Sequence, residues 1–123
     1  MGRYISRQSL STYLNLGKII EVFLGRINDN KKILSYLEIK NIASDKIQLS
    51  TIEHYDEGSL DWLDIYDFSY VDPDGNHNKI EFDNIEEAID FIQVKFQLKE
   101  IKFVNEGIIQ DEYKDLLISE GQS

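Results

Sequence analysis

Between Glu53 and Asp67 the chain reads Glu-His-Tyr-Asp-Glu-Gly-Ser-Leu-Asp-Trp-Leu-Asp-Ile-Tyr-Asp, the densest mixture of acids and aromatics in the sequence. Such residues offer two kinds of chemistry. Trp and Tyr give large, fairly rigid contact area with a polar handle, and a rim of carboxylates draws a cationic partner toward it. Carboxylates beside a histidine can instead transfer protons or hold a hard metal ion. In an extended strand residues two apart share a face, so Trp62, Asp64 and Tyr66 are expected together, with Phe68 and Tyr70 beyond. On this reading Asp56, Glu57, Asp61, Trp62, Asp64, Tyr66 and Asp67 form the partner-binding surface. The opposing reading packs the aromatics into the core, the commoner fate of large aromatics, and leaves the acids as solvated loop residues.

The other constellations are weaker. Asp72-x-Asp74-Gly75-Asn76 begins like a calcium loop, but with Asp72 as position one, position six is His77 instead of glycine and position twelve is Asp83 instead of glutamate. A hairpin turn accounts for every residue of it. His54 and His77 are the only histidines, and nothing in their spacing pairs them. A two-histidine metal site completed by Glu53, Asp56 or Asp74 is conceivable, but polar surface positions are the simpler reading. Acid pairs such as Asp61 with Asp64 gain no shifted pKa from spacing alone. Gly17, Gly25, Gly58 and Gly75 are isolated, so no phosphate loop forms, and no Gly-x-Ser-x-Gly elbow occurs. With no cysteine, disulfides, thiolate metal sites and thiol nucleophiles are excluded. No catalytic residue, metal ligand or cofactor is assigned.

Charge is unevenly spread. Residues 51–98 hold 13 of the 23 acids and 2 of the 13 bases, a net charge of −11, whereas residues 1–50 carry 8 bases against 4 acids. That asymmetry favours a basic partner and opposes direct contact with nucleic acid. In its stronger form, the acids imitate a phosphate backbone. The bases of the first half, among them Arg3, Arg7, Lys31 and Lys32, read as ordinary solvation.

At 123 residues with 41% hydrophobic composition, the chain reads as one domain, residues 1–123, with a single core. Met1–Arg7 lacks the apolar core of a signal peptide, although Gly2 and Ser6 loosely match a myristoylation pattern. No apolar run approaches the ~20 residues of a membrane span. The cytoplasm is the expected compartment.

The elements that must position these residues are read from periodicity. Leu10, Tyr13 and Leu14 suggest a short helix after Ser9. Ile20, Val22 and Leu24 alternate within Lys18–Ile27, with Ile19 and Phe23 opposite, so that strand is expected to be covered on both sides. Further strands fit Ile33–Ile42, Lys46–Tyr55, Asp61–Val71 and Lys79–Asp83, and a last one fits Leu98–Val104. Asn28-Asp29-Asn30, Ala43-Ser44-Asp45 and Asp72–Asn76 read as turns. Ile85, Ala88, Ile89 and Ile92 recur at helical spacing, capped by Asp83 or Asn84; with Asp83 as cap, Glu86 completes a capping box. Ile109, Tyr113, Leu116 and Leu117 indicate a C-terminal helix.

The sequence therefore predicts an α+β fold: an antiparallel meander of four to six strands, one amphipathic helix at about 84–96 on a face, and terminal helices. The expected function is a small acidic, non-catalytic protein-binding or regulatory module, of the inhibitor, immunity or adaptor kind, recognising a basic partner. The alternatives are a small-molecule or metal-dependent enzyme using carboxylates with a histidine, and a homo-oligomeric structural protein.

Overall fold

The computed structural model describes residues 3–26, 32–43, 46–72, 74 and 77–121. Six strands form one sheet: β1 (Tyr4–Ile5), β2 (Ile20–Arg26), β3 (Ile33–Ala43), β4 (Lys46–Tyr55), β5 (Asn78–Phe82) and β6 (Phe103–Asn105). Their order is β1-β6-β2-β3-β4-β5, and every pairing is antiparallel. The fold is α+β, as the sequence predicts. Strands β2 to β5 are the expected meander. The end strands β6 and β1 join on the far side of β2.

Three helices complete the domain: α1 (Leu10–Asn15), α2 (Ile85–Phe96) and α3 (Ile109–Ser119). Helix α2 carries the chain from edge strand β5 across the sheet to β6, and this crossing buries its apolar stripe. Ile85, Ala88, Ile89 and Ile92 pack there with Ile20, Val22, Leu37, Ile39, Ile47 and Leu49 of the sheet and with Leu10 and Leu14 of α1. The opposite face is covered by α3 and by the segment between β4 and β5. There Leu34, Tyr36, Ile52 and Val104 meet Ile65, Phe68, Ile109, Tyr113 and Leu117. Strand β2 is therefore covered on both sides, as its alternation predicts.

Two local expectations are corrected. The N-cap of α2 is Asn84, whose side chain accepts from Glu87 N at 2.9 Å, while Glu87 reaches back to Asp83 N at 3.2 Å. The box is thus closed by Glu87 rather than Glu86, one residue later than the Asp83-capped frame.

The second correction matters more. Asp61–Val71 is not a strand. It runs as an irregular segment with a 3-10 turn at Ile65–Asp67, and only its end touches the sheet, through Tyr55 N to Ser69 O at 2.8 Å and Val71 N to Glu53 O at 3.2 Å. The reason lies in a period of three. Asp61, Asp64 and Asp67 recur every third residue, as do Trp62, Ile65 and Phe68. That spacing matches a 3-10 turn, with three residues per turn, instead of a pleat. Asn28-Asp29-Asn30 lies outside the described residues, as do Ser44 and Asp45 of the Ala43–Asp45 turn and Pro73, Gly75 and Asn76 of the Asp72–Asn76 turn, in which Asp74 N donates to Asp72 Oδ1 at 3.0 Å.

Candidate functional site

The segment Asp56–Tyr70 holds five acids and no lysine or arginine. It lacks regular structure, so it needs side chains to fix it, and its own acids supply much of that.

Asp56 is the first anchor. Its Oδ2 accepts from the Arg26 guanidinium at 2.6 Å, and its Oδ1 accepts from the Tyr113 hydroxyl of α3 and from Gly58 N. Arg26 also holds Glu120 at 2.7 Å, so the end of β2, the loop and the end of α3 are tied at one point. Burial and the bond to Asp56 both push the Tyr113 hydroxyl well above the usual phenol range. Glu57 closes the loop from within, accepting from Ser69 N at 2.7 Å and Ser69 Oγ at 2.8 Å. These bonds hold the Glu57 carboxyl below its ordinary pKa. Asp64 accepts from Gln110 of α3 at 3.2 Å. Gly58 sits where no side chain fits: a Cβ there would collide with the Phe68 ring, the Trp62 carbonyl and the Tyr113 hydroxyl.

Tyr66 points inward. Its hydroxyl donates to Glu21 Oε1 at 2.6 Å and accepts from Gly107 N at 2.9 Å. Its ring meets Tyr36 edge-on at 6.0 Å. Burial raises the pKa of both phenols, and for Tyr66 the bond to Glu21 adds to the effect.

The remaining residues face out. Trp62 is 44% exposed. Its ring stands edge-on against Phe68 at 5.1 Å, and a tight turn bonds its backbone to Ser59 in both directions. Asp61 and Asp67 are exposed, one beside Trp62 and one beside Phe68. Among the described residues no lysine or arginine pairs with Asp61, Asp64 or Asp67.

The acids of residues 51–98 do not form one field. The sheet separates those of α2 from those of the loop, which lie on opposite faces. Glu86 is neutralised by Arg7 at 2.5 Å and Asp83 by Lys46 at 2.6 Å. The exposed acids of the loop that no base pairs with among the described residues, Asp61 and Asp67, adjoin Trp62 and Phe68 in the chain.

The two histidines, unpaired in sequence, meet across Tyr70. His54 stacks on it at 4.7 Å and His77 lies against it at 5.1 Å. His54 is fully buried, with Tyr36 stacked on it at 5.7 Å. Its Nδ1 donates to Phe68 O at 3.0 Å, which leaves Nε2 as an unpartnered acceptor. Burial depresses its pKa. Among the described residues no carboxylate bonds to it, whereas His77 lines a cleft together with Glu53 and Asp72.

A group that sequence reasoning missed is built from Glu21, Glu38 and Glu106, acids outside the charged middle. Glu21 on β2 lies directly opposite Glu38 on β3 and opposite Val104 on β6. Glu106, two residues past Val104, reaches the same face. One carboxylate oxygen of each lies within 4.8 Å of the other two. Burial pushes the Glu21 carboxyl up to about 7, against the Tyr66 and Gly107 hydrogen bonds that favour its ionised form. The available signal was an acid alternating with Ile20 and Val22 on a strand covered on both sides.

On the α2 side, a cleft of about 610 Å³ opens over a polar stretch of sheet that includes Ser35, Thr51 and Glu53, beside Lys95 and Phe96 of α2. Ser35 Oγ is buried there without a partner.

The chain matches no protein-family model, and no curated protein or solved structure is significantly similar to it. No helix among the described residues is long and apolar enough to cross a membrane.

Proposed function

We propose that this chain is a non-catalytic, cytoplasmic binding module that docks the segment Asp56–Tyr70 onto a basic surface of a partner protein, as an inhibitor, immunity or adaptor protein would. The observation that carries the reading is a division of labour within one loop. Asp56, Glu57, Asp64 and Tyr66 are spent on holding it to the body of the domain. Asp61, Trp62 and Asp67 remain turned to solvent, and among the described residues no base pairs with the two acids. A loop fixed before binding loses little conformational freedom when it docks, which favours affinity. An exposed tryptophan in a loop that also exposes Asp61 and Asp67 has the composition of an interface centre with an electrostatic rim. Like-sign repulsion disfavours nucleic acid on the same face. On this reading the contacts fall to Asp61, Trp62 and Asp67, the exposed loop residues not engaged in those bonds.

The test is paired affinity capture. Wild type and an Asp61→Asn/Trp62→Ala/Asp67→Asn variant serve as baits at low salt, followed by a high-salt wash.

A further inference from the structure

The Glu21–Glu38–Glu106 group meets the docking loop through one hydrogen bond, from Tyr66 to Glu21, and Glu38 and Glu106 carry no role assigned above. Strand register forces two of its members together, since Glu21 and Glu38 are direct cross-strand partners on one face. Like charges placed opposite each other destabilise a sheet, and here Glu106 adds a third. The chain offers little compensation. Among the described residues, the one ion pair that reaches the group is Lys40 with Glu38, at a loose 3.8 Å.

An independent observation concerns Glu21 itself. It is fully buried, with 0% exposure. Tyr66 and Gly107 both donate to its Oε1. Among the described residues its Oε2 has no hydrogen-bond partner. A buried carboxylate oxygen without a partner is costly. A bound cation would remove both costs together, by pairing the free oxygen and cancelling the repulsion.

The donors select the cation. Three carboxylates are hard oxygen ligands, suited to calcium, manganese or magnesium and unsuited to soft metals. Oxygens within 4.8 Å of one another are close enough to share one such cation. Burial falls from Glu21 through half-buried Glu38 to exposed Glu106. One side of the site is therefore open to water, which completes a coordination shell of six to eight oxygens.

We propose that Glu21, Glu38 and Glu106 bind a hard divalent cation, Ca²⁺, Mn²⁺ or Mg²⁺, against the α3-side face of the sheet.

The experiment is calorimetric titration of the full chain with CaCl₂, supported by terbium luminescence excited through tyrosine, since the Tyr66 hydroxyl sits on Glu21. The expected result is saturable one-to-one binding. Glu106→Gln and Glu38→Gln should each weaken it by at least about tenfold, the size that loss of even an outer-shell partner produces. Glu81→Gln/Asp90→Asn, which removes exposed acids elsewhere, should leave it unchanged. Glu21→Gln is expected to abolish it, but that residue is buried; the exposed Glu106 keeps the test independent of folding. Three results overturn the proposal. The first is no saturable binding of Ca²⁺, Mn²⁺ or Mg²⁺ up to about 10 mM, beyond the weakest class of calcium modules. The second is affinity unchanged in both Glu38→Gln and Glu106→Gln. The third is binding lost in Glu81→Gln/Asp90→Asn.

Discussion

The Tyr66 hydroxyl and the Glu21 carboxylate lie 2.6 Å apart, joining the acidic loop to the middle of a strand that is 45 residues earlier in the chain. Tyr66 is also the acceptor for Gly107 N, at the turn that leads into α3. One phenol therefore links the loop, β2 and the start of α3. Its partner is an acid and both groups are largely shielded, so the bond belongs to the stronger class of hydrogen bonds.

Tyr66→Phe should destabilise the domain by about 1.5–3 kcal/mol, the range for hydrogen bonds to charged groups. Urea unfolding measures it directly. A double-mutant cycle with Glu21→Gln should return a coupling of about 1 kcal/mol or more. A loss under about 0.5 kcal/mol would mean that the loop is held by its other anchors alone.

Gly58→Ala should cost about 1–3 kcal/mol, because its methyl would meet the Phe68 ring, the Tyr113 hydroxyl and the Trp62 backbone carbonyl. The relevant neighbours include backbone, which cannot swing aside. Trp62 is the only tryptophan, so its emission reports the displacement of the loop as well as the unfolding midpoint. An unchanged midpoint and spectrum would show that the loop tolerates another path.

His54 gives a pH dependence with a definite sign. Burial lowers its folded pKa below the ordinary value of 6.5. Between those two values the unfolded chain binds more protons, so this residue's contribution is present above about pH 6.5 and is lost as pH falls through the folded pKa. The stability difference, wild type minus His54→Phe, should accordingly shrink as pH falls from about 7.5 to about 5.5. Taking the difference cancels groups that titrate equally in both proteins. A constant difference would place a charged His54 inside the fold.

Much of the architecture was legible because it rests on periodicity. Ile20, Val22 and Leu24 against Ile19 and Phe23 give β2 and its two covers, and Ile85, Ala88, Ile89 and Ile92 give α2. The loop was misread for an instructive reason. Trp62, Tyr66, Phe68 and Tyr70 satisfy a period of two, but Trp62, Ile65 and Phe68 also satisfy a period of three, and only the latter puts Ile65 and Phe68, which are buried together, on one face. The Glu21–Glu38–Glu106 group could not be assembled beforehand, since strand register and the crossover through α2 bring its members together. Only the position of Glu21 among core residues was visible. The roles of Asp56 and Tyr66 as anchors also depend on Arg26, Tyr113 and Glu21, all distant in sequence.

The local potential at Trp62 is open to a simple probe. A potential of even one kT enriches a monovalent cation about 2.7-fold and depletes an anion equally. Relative to its quenching of free N-acetyltryptophanamide, caesium should quench Trp62 fluorescence more strongly than iodide does at low ionic strength. Asp61→Asn/Asp67→Asn should bring the two quenchers close to parity. Equal quenching on that scale in the wild type would show that no negative field surrounds the indole.

The paired capture tests the docking loop most directly. Wild-type and Asp61→Asn/Trp62→Ala/Asp67→Asn baits would be exposed to the same low-salt lysate of the cells that make this protein, and each eluted with high salt. The account predicts a basic protein retained by the wild type, released by salt and missing from the variant. Identical retention on both baits, unaffected by salt, would contradict it.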